Sequence, residues 1–222
     1  MKEKNLKLVI FFGNNEICKK ADKFVSKLYV KILKVFHNEK IPTKKIIKFN
    51  PDLIVSFMNL KKIPPELLKF VNFNIHTALP KYPGRGGASL AIFNEDEYYG
   101  STAHVMSKKI DNGEIIKIKK KKLEKSYDCE TLYKKTTSLC FSLLTDLCMY
   151  FEKNQKLPIP KKKYEWGKYM SKEKFQKWLV LDPKKKVDFK KKIKASKHSQ
   201  FPGPYIIVNG YKFSLITEVN EK

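Results

Sequence analysis

Two polar residues with complementary chemistry stand two positions apart at the end of a short apolar segment. Residues 71–75 are predicted to form a strand that carries Asn74 and His76 at its carboxyl end. Residues two apart in a strand face the same side of a sheet, so the amide and the imidazole should point into one crevice. Such a pair can hold a carbonyl oxygen while that oxygen becomes an oxyanion.

A partner is needed to set the tautomer of the histidine, and the carboxylate of Asp111 is the candidate. Asp111 lies in the turn 109–113, between two predicted strands. From the residues alone two interpretations stay open, because a histidine at a strand end is often structural and Asp-Asn-Gly is a common turn sequence. The catalytic interpretation predicts an acid–base site in which Asp111 orients His76.

The elements that position these residues alternate between strands and helices in the first 155 residues. Apolar runs and alternating patterns predict strands at 6–12, 51–57, 71–75, 101–106 and 114–123. Helical periodicity predicts helices at 17–36, 88–94 and 127–152, with a short helix opened by Pro42. No strand is predicted between residues 36 and 51. This order predicts a Rossmann-like α/β fold with an open, mostly parallel sheet, which binds ligands at the carboxyl ends of its strands.

A linker at 158–164 precedes a short tail, so we divide the chain into a catalytic domain, 1–155, and a tail, 156–222. The tail is predicted to contain short helices at 171–179 and 187–195. Asn209-Gly210 between two alternating runs is a strong signal for a β-hairpin. A two-stranded hairpin is not stable alone. We therefore expect the tail to pack on the core or on a second copy, and we predict a homodimer.

Composition and length limit the class of protein. The chain has 222 residues and is 42% hydrophobic, enough for one core domain with an extension. No run of eighteen apolar residues and no signal-peptide pattern occur, so we expect a cytoplasmic protein with no membrane partner. The four cysteines show no spacing typical of metal ligands, so we expect buried free thiols and no metal site. They are Cys18, Cys129, Cys140 and Cys148.

The formal net charge of +25 raises the question of nucleic-acid binding. All but one of the 47 basic residues are lysine, whereas recognition of phosphates and bases favours the arginine fork. The lysines also spread over most of the chain, as on solvated faces of helices and strands. We therefore do not expect nucleic acid as the partner. A basic nucleic-acid-binding protein stays open as the alternative from another class. The positive charge could also serve to attract an anionic substrate.

Three separated blocks between about residues 51 and 116 resemble the formyltransferase family, whose members use 10-formyltetrahydrofolate. The blocks are Asn-x-His followed by Leu79-Pro80, then Gly100-Ser-Thr-Ala-His104, then Asp111-Asn-Gly113. By this resemblance Asn74, His76 and Asp111 match the catalytic residues of the family. The resemblance also implies that Phe57, Met58 and Asn59 line the folate pocket, and that Lys108, Lys109 and Ile110 close its other side.

The chemistry implied by the resemblance is formylation of an amine. The amine attacks the formyl carbon, while Asn74 and a protonated His76 stabilise the oxyanion. His76 or a water collects the amine proton, and Asp111 orients and polarises His76. No metal is implied.

Within the family, the chain looks most like the small members that formylate nucleotide-linked amino sugars, such as a dTDP-amino-dideoxyhexose, for O-antigen and other surface polysaccharide. The loop after the first strand has one glycine, Gly13, so a phosphate cradle is not expected there. The tail is too short for the barrel of methionyl-tRNA formyltransferases. A methionyl-tRNA or other small-amine formyltransferase stays the alternative. The loop after His76 should supply the substrate contacts Thr77, Lys81, Tyr82 and Arg85.

Three further residues have less specific signals. His104, on the strand before Asp111, is expected to pack beside the site rather than to touch a ligand. Trp166 and Trp178 in the tail could stack on a nucleotide base, but packing is the preferred interpretation.

Overall fold

A six-stranded sheet with helices on both faces forms the body of the protein. The computed structural model describes residues 5–160, 162–184 and 189–215. The strands lie in the order β2-β1-β3-β4-β5-β6. The first three pairings, β2 to β1, β1 to β3 and β3 to β4, are parallel, and the last two are antiparallel. Their bounds are β1 Lys7–Phe12, β2 Lys31–Phe36, β3 Leu53–Phe57, β4 Asn72–His76, β5 Tyr98–His104 and β6 Ile115–Lys122. The predicted open, mostly parallel α/β sheet is confirmed.

The helices cover the sheet and extend into the tail. A 3-10 turn occupies Pro65–Leu67, and the described part of the chain contains the helices α1 Glu16–Leu28, α2 Thr43–Phe49, α3 Gly87–Phe93, α4 Cys129–Asn154, α5 Lys172–Trp178 and α6 Phe189–Ser196. Asp128 is the N-cap of the long helix α4, and its side chain accepts a hydrogen bond from the Thr131 N–H. This bond satisfies one of the amides left free at a helix N-terminus.

Burial on both faces explains why the first strand is a continuous apolar run. Alternate residues Leu8, Ile10 and Phe12 pack in one core cluster with α1 and α4. Val9 and Phe11 point the other way, into a cluster with α2 and the 3-10 turn. A strand covered by helices on both faces needs apolar residues at every position.

The helix predicted over 17–36 is wrong in its second half. Helix α1 ends at Leu28, and β2 pairs in parallel with β1 at the sheet edge. Only Val35 is buried in β2, and the apolar residues of the strand fit a helical stripe as well as an edge strand. The second strand therefore occupies Lys31–Phe36, and the segment between residues 36 and 51 contains the short helix α2.

The predicted hairpin is confirmed as β7 Tyr205–Val208 and β8 Tyr211–Ser214. Asn209 and Gly210 both have positive φ, which suits a tight hairpin turn. The start of the helix predicted at 187–195 and the last seven residues lie outside the described residues. A domain boundary at 155 stays a prediction. Within the described ranges, no helix is long and apolar enough to cross a membrane.

Candidate active site

Strand β4 delivers Asn74 and His76 to the carboxyl edge of the parallel strands. It lies between β3 and β5, and Asn74 pairs with His104 while His76 pairs with Thr102. Hydroxyls on β5 fix the chain around His76, since Ser101 Oγ donates to the His76 carbonyl over 2.9 Å. Only 8% of His76 is exposed. The imidazole is therefore held by the sheet in a site largely closed to water.

Asp111 joins this pair from the turn between β5 and β6. Its Oδ2 lies 3.2 Å from Nδ1 of His76, and its Oδ1 lies 3.3 Å from Nε2 of His104. The Gly84 N–H also donates to Oδ2, over 2.9 Å. Asp111 has a φ of 45°. Aspartate and asparagine tolerate this left-handed region better than most residues, which suits the Asp-Asn-Gly turn.

His104 completes a compact polar group around the carboxylate. Its Nε2 lies 3.0 Å from the amide Nδ2 of Asn74, and its Nδ1 lies 2.8 Å from the Val105 carbonyl. His104 is buried, as expected for a packed residue, but it also links Asn74 to Asp111. The structure thus brings the three predicted catalytic residues together through a fourth. The Asn74–His104 pairing depends on the register of β4 and β5, which the sequence alone does not define.

Both ring nitrogens of His76 face hydrogen-bond acceptors. Nδ1 faces Asp111, and Nε2 lies 2.8 Å from the Tyr82 carbonyl. A neutral ring can donate to one acceptor, whereas an imidazolium donates to both. Burial lowers the pKa of His76 more than the Asp111 charge and the Tyr82 hydrogen bond raise it. The neutral form of the His76 ring is thus favoured. When the ring is protonated, it can donate hydrogen bonds both to Asp111 and to the Tyr82 carbonyl.

Asp111 is held as a carboxylate. Burial alone would raise its pKa, but His76, His104 and the Gly84 N–H outweigh burial and lower the pKa of Asp111 below its ordinary value. A buried carboxylate with these partners stays ionised at neutral pH.

The residues predicted to bind folate lie at the end of β3 and in the loop that follows β5. Phe57 is buried at the end of β3, and Met58 follows with a φ of 56°. At this bend Gly13 has no room for a side chain, since an added Cβ would lie 2.3 Å from the Met58 carbonyl oxygen. The Asn59 side chain bonds to the backbone of Lys61. Lys108, Lys109 and Ile110 lie in an exposed loop that leads directly to Asp111.

The predicted substrate contacts lie in the loop after β4, and two of them are engaged elsewhere. Lys81 Nζ lies 2.7 Å from Asp96, and the Tyr82 hydroxyl donates to the same carboxylate over 2.6 Å. Tyr82 therefore contributes its backbone carbonyl to the site, not its phenol. Thr77 is partly buried, and Arg85 is exposed.

The tail adds a residue that the sequence did not assign to the site. The Trp166 ring lies edge-on to both imidazoles, with centroids 5.0 Å from His104 and 6.0 Å from His76. Its indole N–H donates to the Gly113 carbonyl over 2.8 Å. Packing was the preferred interpretation of this residue, and the surface on which it packs is formed by the imidazoles of His76 and His104.

In the part of the chain that the structure describes, no group of three or more His, Cys, Asp or Glu side chains could hold a metal ion.

Comparison with known proteins assigns the family. The profile of the formyl transferase family matches residues 23–146, which is more than half of the chain. The protein belongs to the formyl transferase family.

Two curated relatives match about half of the chain in sequence. The bifunctional polymyxin resistance protein ArnA of Wigglesworthia glossinidia brevipalpis is 36% identical over 99 residues, 43% of this chain and 15% of that protein. The methionyl-tRNA formyltransferase of Caldanaerobacter subterraneus subsp. tengcongensis is 28% identical over 122 residues, 53% of this chain and 40% of that protein. The chain thus spans less than half the length of either relative.

Solved structures match the fold over nearly the whole chain. A 4-N formyltransferase from Francisella tularensis has a TM-score of 0.76 at 20% identity, over 97% of this chain and 98% of that one. An N-formyltransferase from Helicobacter canadensis, in complex with folinic acid and dTDP-3-aminofucose, has a TM-score of 0.67 at 18% identity, over 92% of this chain and 85% of that one. The fold shared with these proteins includes the tail.

Proposed function

We propose that this protein transfers a formyl group from 10-formyltetrahydrofolate to the amine of a nucleotide-linked amino sugar. The observation that carries the proposal is the group formed by half-buried Asn74 and buried His76 and Asp111 at the carboxyl edge of a formyl transferase sheet. Its residue types suit attack at a carbonyl carbon, because they combine an amide donor, a neutral imidazole and a fixed carboxylate.

The roles follow from the contacts. The co-substrate supplies an activated formyl carbon. His76, neutral at the start, accepts a proton from the attacking amine as the new nitrogen–carbon bond forms. Asn74 donates a hydrogen bond to the formyl oxygen as it gains charge. Asp111 stabilises the imidazolium. His76 then returns the proton to the departing folate nitrogen as its bond to carbon breaks, which leaves a formamide and tetrahydrofolate.

The folate assignment is supported by the placement of the two candidate pocket segments. Residues 57–59 end and follow β3, which runs parallel to β4, so they lie at the same edge of the sheet as His76. Residues 108–110 immediately precede Asp111, whose carboxylate contacts His76. The Helicobacter canadensis N-formyltransferase, solved in complex with folinic acid, supports the same class of co-substrate.

A sugar nucleotide is favoured over methionyl-tRNA as the acceptor. The Helicobacter canadensis N-formyltransferase, solved in complex with dTDP-3-aminofucose, is matched in fold over 85% of its length, whereas the methionyl-tRNA formyltransferase is matched in sequence over 40%. A dTDP-amino-dideoxyhexose used for O-antigen, a part of lipopolysaccharide, in the cytoplasm is the specific expectation. Thr77 and Arg85 are the residues of the substrate loop that we propose for its recognition. Methionyl-tRNA is the second candidate, favoured by the curated relative.

We also propose that the hairpin joins two copies of the chain. Its apolar side chains are exposed, among them Tyr211 at 72% and Phe213 at 59%. A second copy would present the same face, and association would remove both apolar surfaces from water. An isolated two-stranded hairpin has too little core for stability.

Calorimetric titration tests the proposed ligands in turn. The probes are 5-formyltetrahydrofolate, a stable stand-in for the co-substrate, and then dTDP and UDP. We expect folate binding together with a preference for one nucleotide. Folate binding with no nucleotide binding would transfer support to methionyl-tRNA or another amine, and absence of folate binding would overturn the proposal.

A further inference from the structure

A segment of the tail, residues 164–170, pairs with the loop that follows His76. The Gly167 N–H donates to the Pro80 carbonyl and the Met170 N–H donates to the Pro83 carbonyl, each over 2.9 Å. The Arg85 N–H returns a bond of 2.9 Å to the Met170 carbonyl. The tail is therefore fixed to this loop by backbone hydrogen bonds on both sides of Tyr82.

Two glycines allow this close approach. A Cβ on Gly167 would lie 2.2 Å from the Lys81 carbonyl oxygen, and a Cβ on Gly84 would lie 2.2 Å from that of Met170. Both contacts are with backbone, which cannot move aside as a side chain can. The register of the tail against the loop is thus defined, and it places Trp166 over the polar group.

The indole of Trp166 contacts both imidazoles of that group and the turn that contains Asp111. It lies edge-on to His76 and His104, and its N–H donates to Gly113, two residues after Asp111. It therefore connects β4, β5 and the Asp111 turn. Edge-to-face contact of aromatic rings is directional, so the indole restricts the planes of both imidazoles.

We propose that Trp166 is a positioning residue, which holds the ring of His76 between Asp111 and the Tyr82 carbonyl and excludes water from its face. This inference rests on the proposed formyl transfer and deepens it, because the tail then completes the active site. The lowered pKa of His76 agrees with this arrangement, since burial is its largest cause. The groups that face His76 are Asp111, His104 and the Tyr82 carbonyl.

Kinetics of Trp166→Ala and Trp166→Phe test the role, with Trp178→Phe as the matched control. Trp178, the second tryptophan, packs on Phe93 and Phe175. We expect Trp166→Ala to lower kcat at least about tenfold, with KM for the folate changed much less, because misplacement of a reacting group acts on the chemical step. Trp166→Phe should recover part of the loss, and Trp178→Phe should keep kcat. A folded Trp166→Ala with kcat within about twofold of wild type would overturn the inference.

Histidine NMR provides a readout that does not depend on activity. The chain has four histidines, and the His76 resonance is identified by its loss in His76→Gln. We expect the pKa of His76 to rise in Trp166→Ala, and in Trp166→Phe by less, because water reaches the ring; Trp178→Phe should leave it unchanged. If Trp166→Ala does not fold, Trp166→Phe decides. An unchanged titration in a folded Trp166 variant would overturn the inference. Absence of formyl transfer in the wild type would contradict the proposed function alone.

Discussion

Oδ2 of Asp111 lies 3.2 Å from Nδ1 of His76, and only 8% of each side chain is exposed. The two residues come from different parts of the sheet, His76 from the end of β4 and Asp111 from the turn after β5. The low pKa of Asp111 keeps the carboxylate charged, while burial keeps His76 neutral. Their contact stabilises a proton on His76 at the stage when the attacking amine releases one.

Replacement of this carboxylate should remove activity without unfolding the protein. Asparagine tolerates the left-handed backbone at position 111, so Asp111→Asn changes the charge and keeps the turn. We expect kcat to fall roughly 100-fold to 10,000-fold, the range for loss of acid–base assistance. Steady-state kinetics and circular dichroism measure the two effects.

Asp146→Asn is the matched control for this variant. Asp146 also lies beside basic groups, at 2.5 Å from Lys117 Nζ and 2.9 Å from Lys119 Nζ. These ion pairs connect α4 to β6, whereas the carboxylate that contacts His76 is that of Asp111. The activity of Asp146→Asn should stay near that of the wild type. Equal kinetics of the two variants would show that Asp111 has no part in the chemistry.

The stability of the fold should decrease as the pH falls from about 8 to about 5. Because the pKa of His76 is lowered in the folded state, the unfolded chain binds the proton more tightly. The stabilising contribution of the neutral ring is thus present above its ordinary pKa of 6.5 and is lost as the pH falls toward the folded value. The stabilising contribution of the Asp111 carboxylate is constant over this range, and it is lost only as the pH falls below its ordinary pKa of 3.8.

Thermal unfolding at a series of pH values measures this contribution. The decrease in Tm should be smaller for His76→Gln than for the wild type. His198, whose pKa is also lowered by burial, acts in the same direction in both proteins, so the difference between them reports His76. Parallel curves for the two proteins would contradict the lowered pKa.

His104 and Asp111 should act as one unit. Oδ1 of Asp111 and the Asn74 amide both lie within 3.3 Å of Nε2 of His104. We expect His104→Gln to lower kcat. In the double variant His104→Gln/Asp111→Asn, the fold decrease in kcat should be smaller than the product of the fold decreases of the two single variants. A coupling energy of about 0.5 to 3 kcal/mol in this cycle is typical of residues in one network. Independent, multiplicative losses would show that His104 only fills space.

The N-terminus of α4 offers a test of the fold away from the site. Asp128 accepts a hydrogen bond of 2.8 Å from the Thr131 N–H. Asp128→Ala should lower the free energy of unfolding by about 1 kcal/mol, and Asp128→Asn by less, since asparagine also caps helices. Urea unfolding measures whether Asp128→Ala is less stable than Asp128→Asn. This difference in the free energy of unfolding would be reversed or absent if the cap were not formed.

The proposed dimer predicts a change in mass on hairpin substitution. Tyr211 and Val208 pair across the hairpin, and both are exposed. Tyr211→Asp places a charge in the apolar face and should yield a monomer by light scattering. Lys172→Asp, on α5, is the control and should stay dimeric. A monomeric wild type would overturn this proposal.

Local signals made the central strands and part of the site predictable. Continuous apolar runs identified β1, β3 and β4, and the two-residue spacing of Asn74 and His76 followed from strand geometry. Strand β2 was not predicted because an edge strand with one buried residue does not require alternating apolar and polar residues. The contacts of His104 and Trp166 depend on strand register and on pairing of the tail with the loop 80–85, and no short stretch of sequence defines these long-range contacts.

The most direct test of the account is product analysis with 10-formyltetrahydrofolate as the donor. Wild type and Asp111→Asn are incubated with dTDP-linked and UDP-linked amino sugars and with methionyl-tRNA, and the products are identified by mass spectrometry. The account predicts one formyl group on the sugar amine with an equal amount of tetrahydrofolate released, from the wild type and not from the variant. Formyl transfer to methionyl-tRNA alone, or equal transfer by the variant, would contradict it.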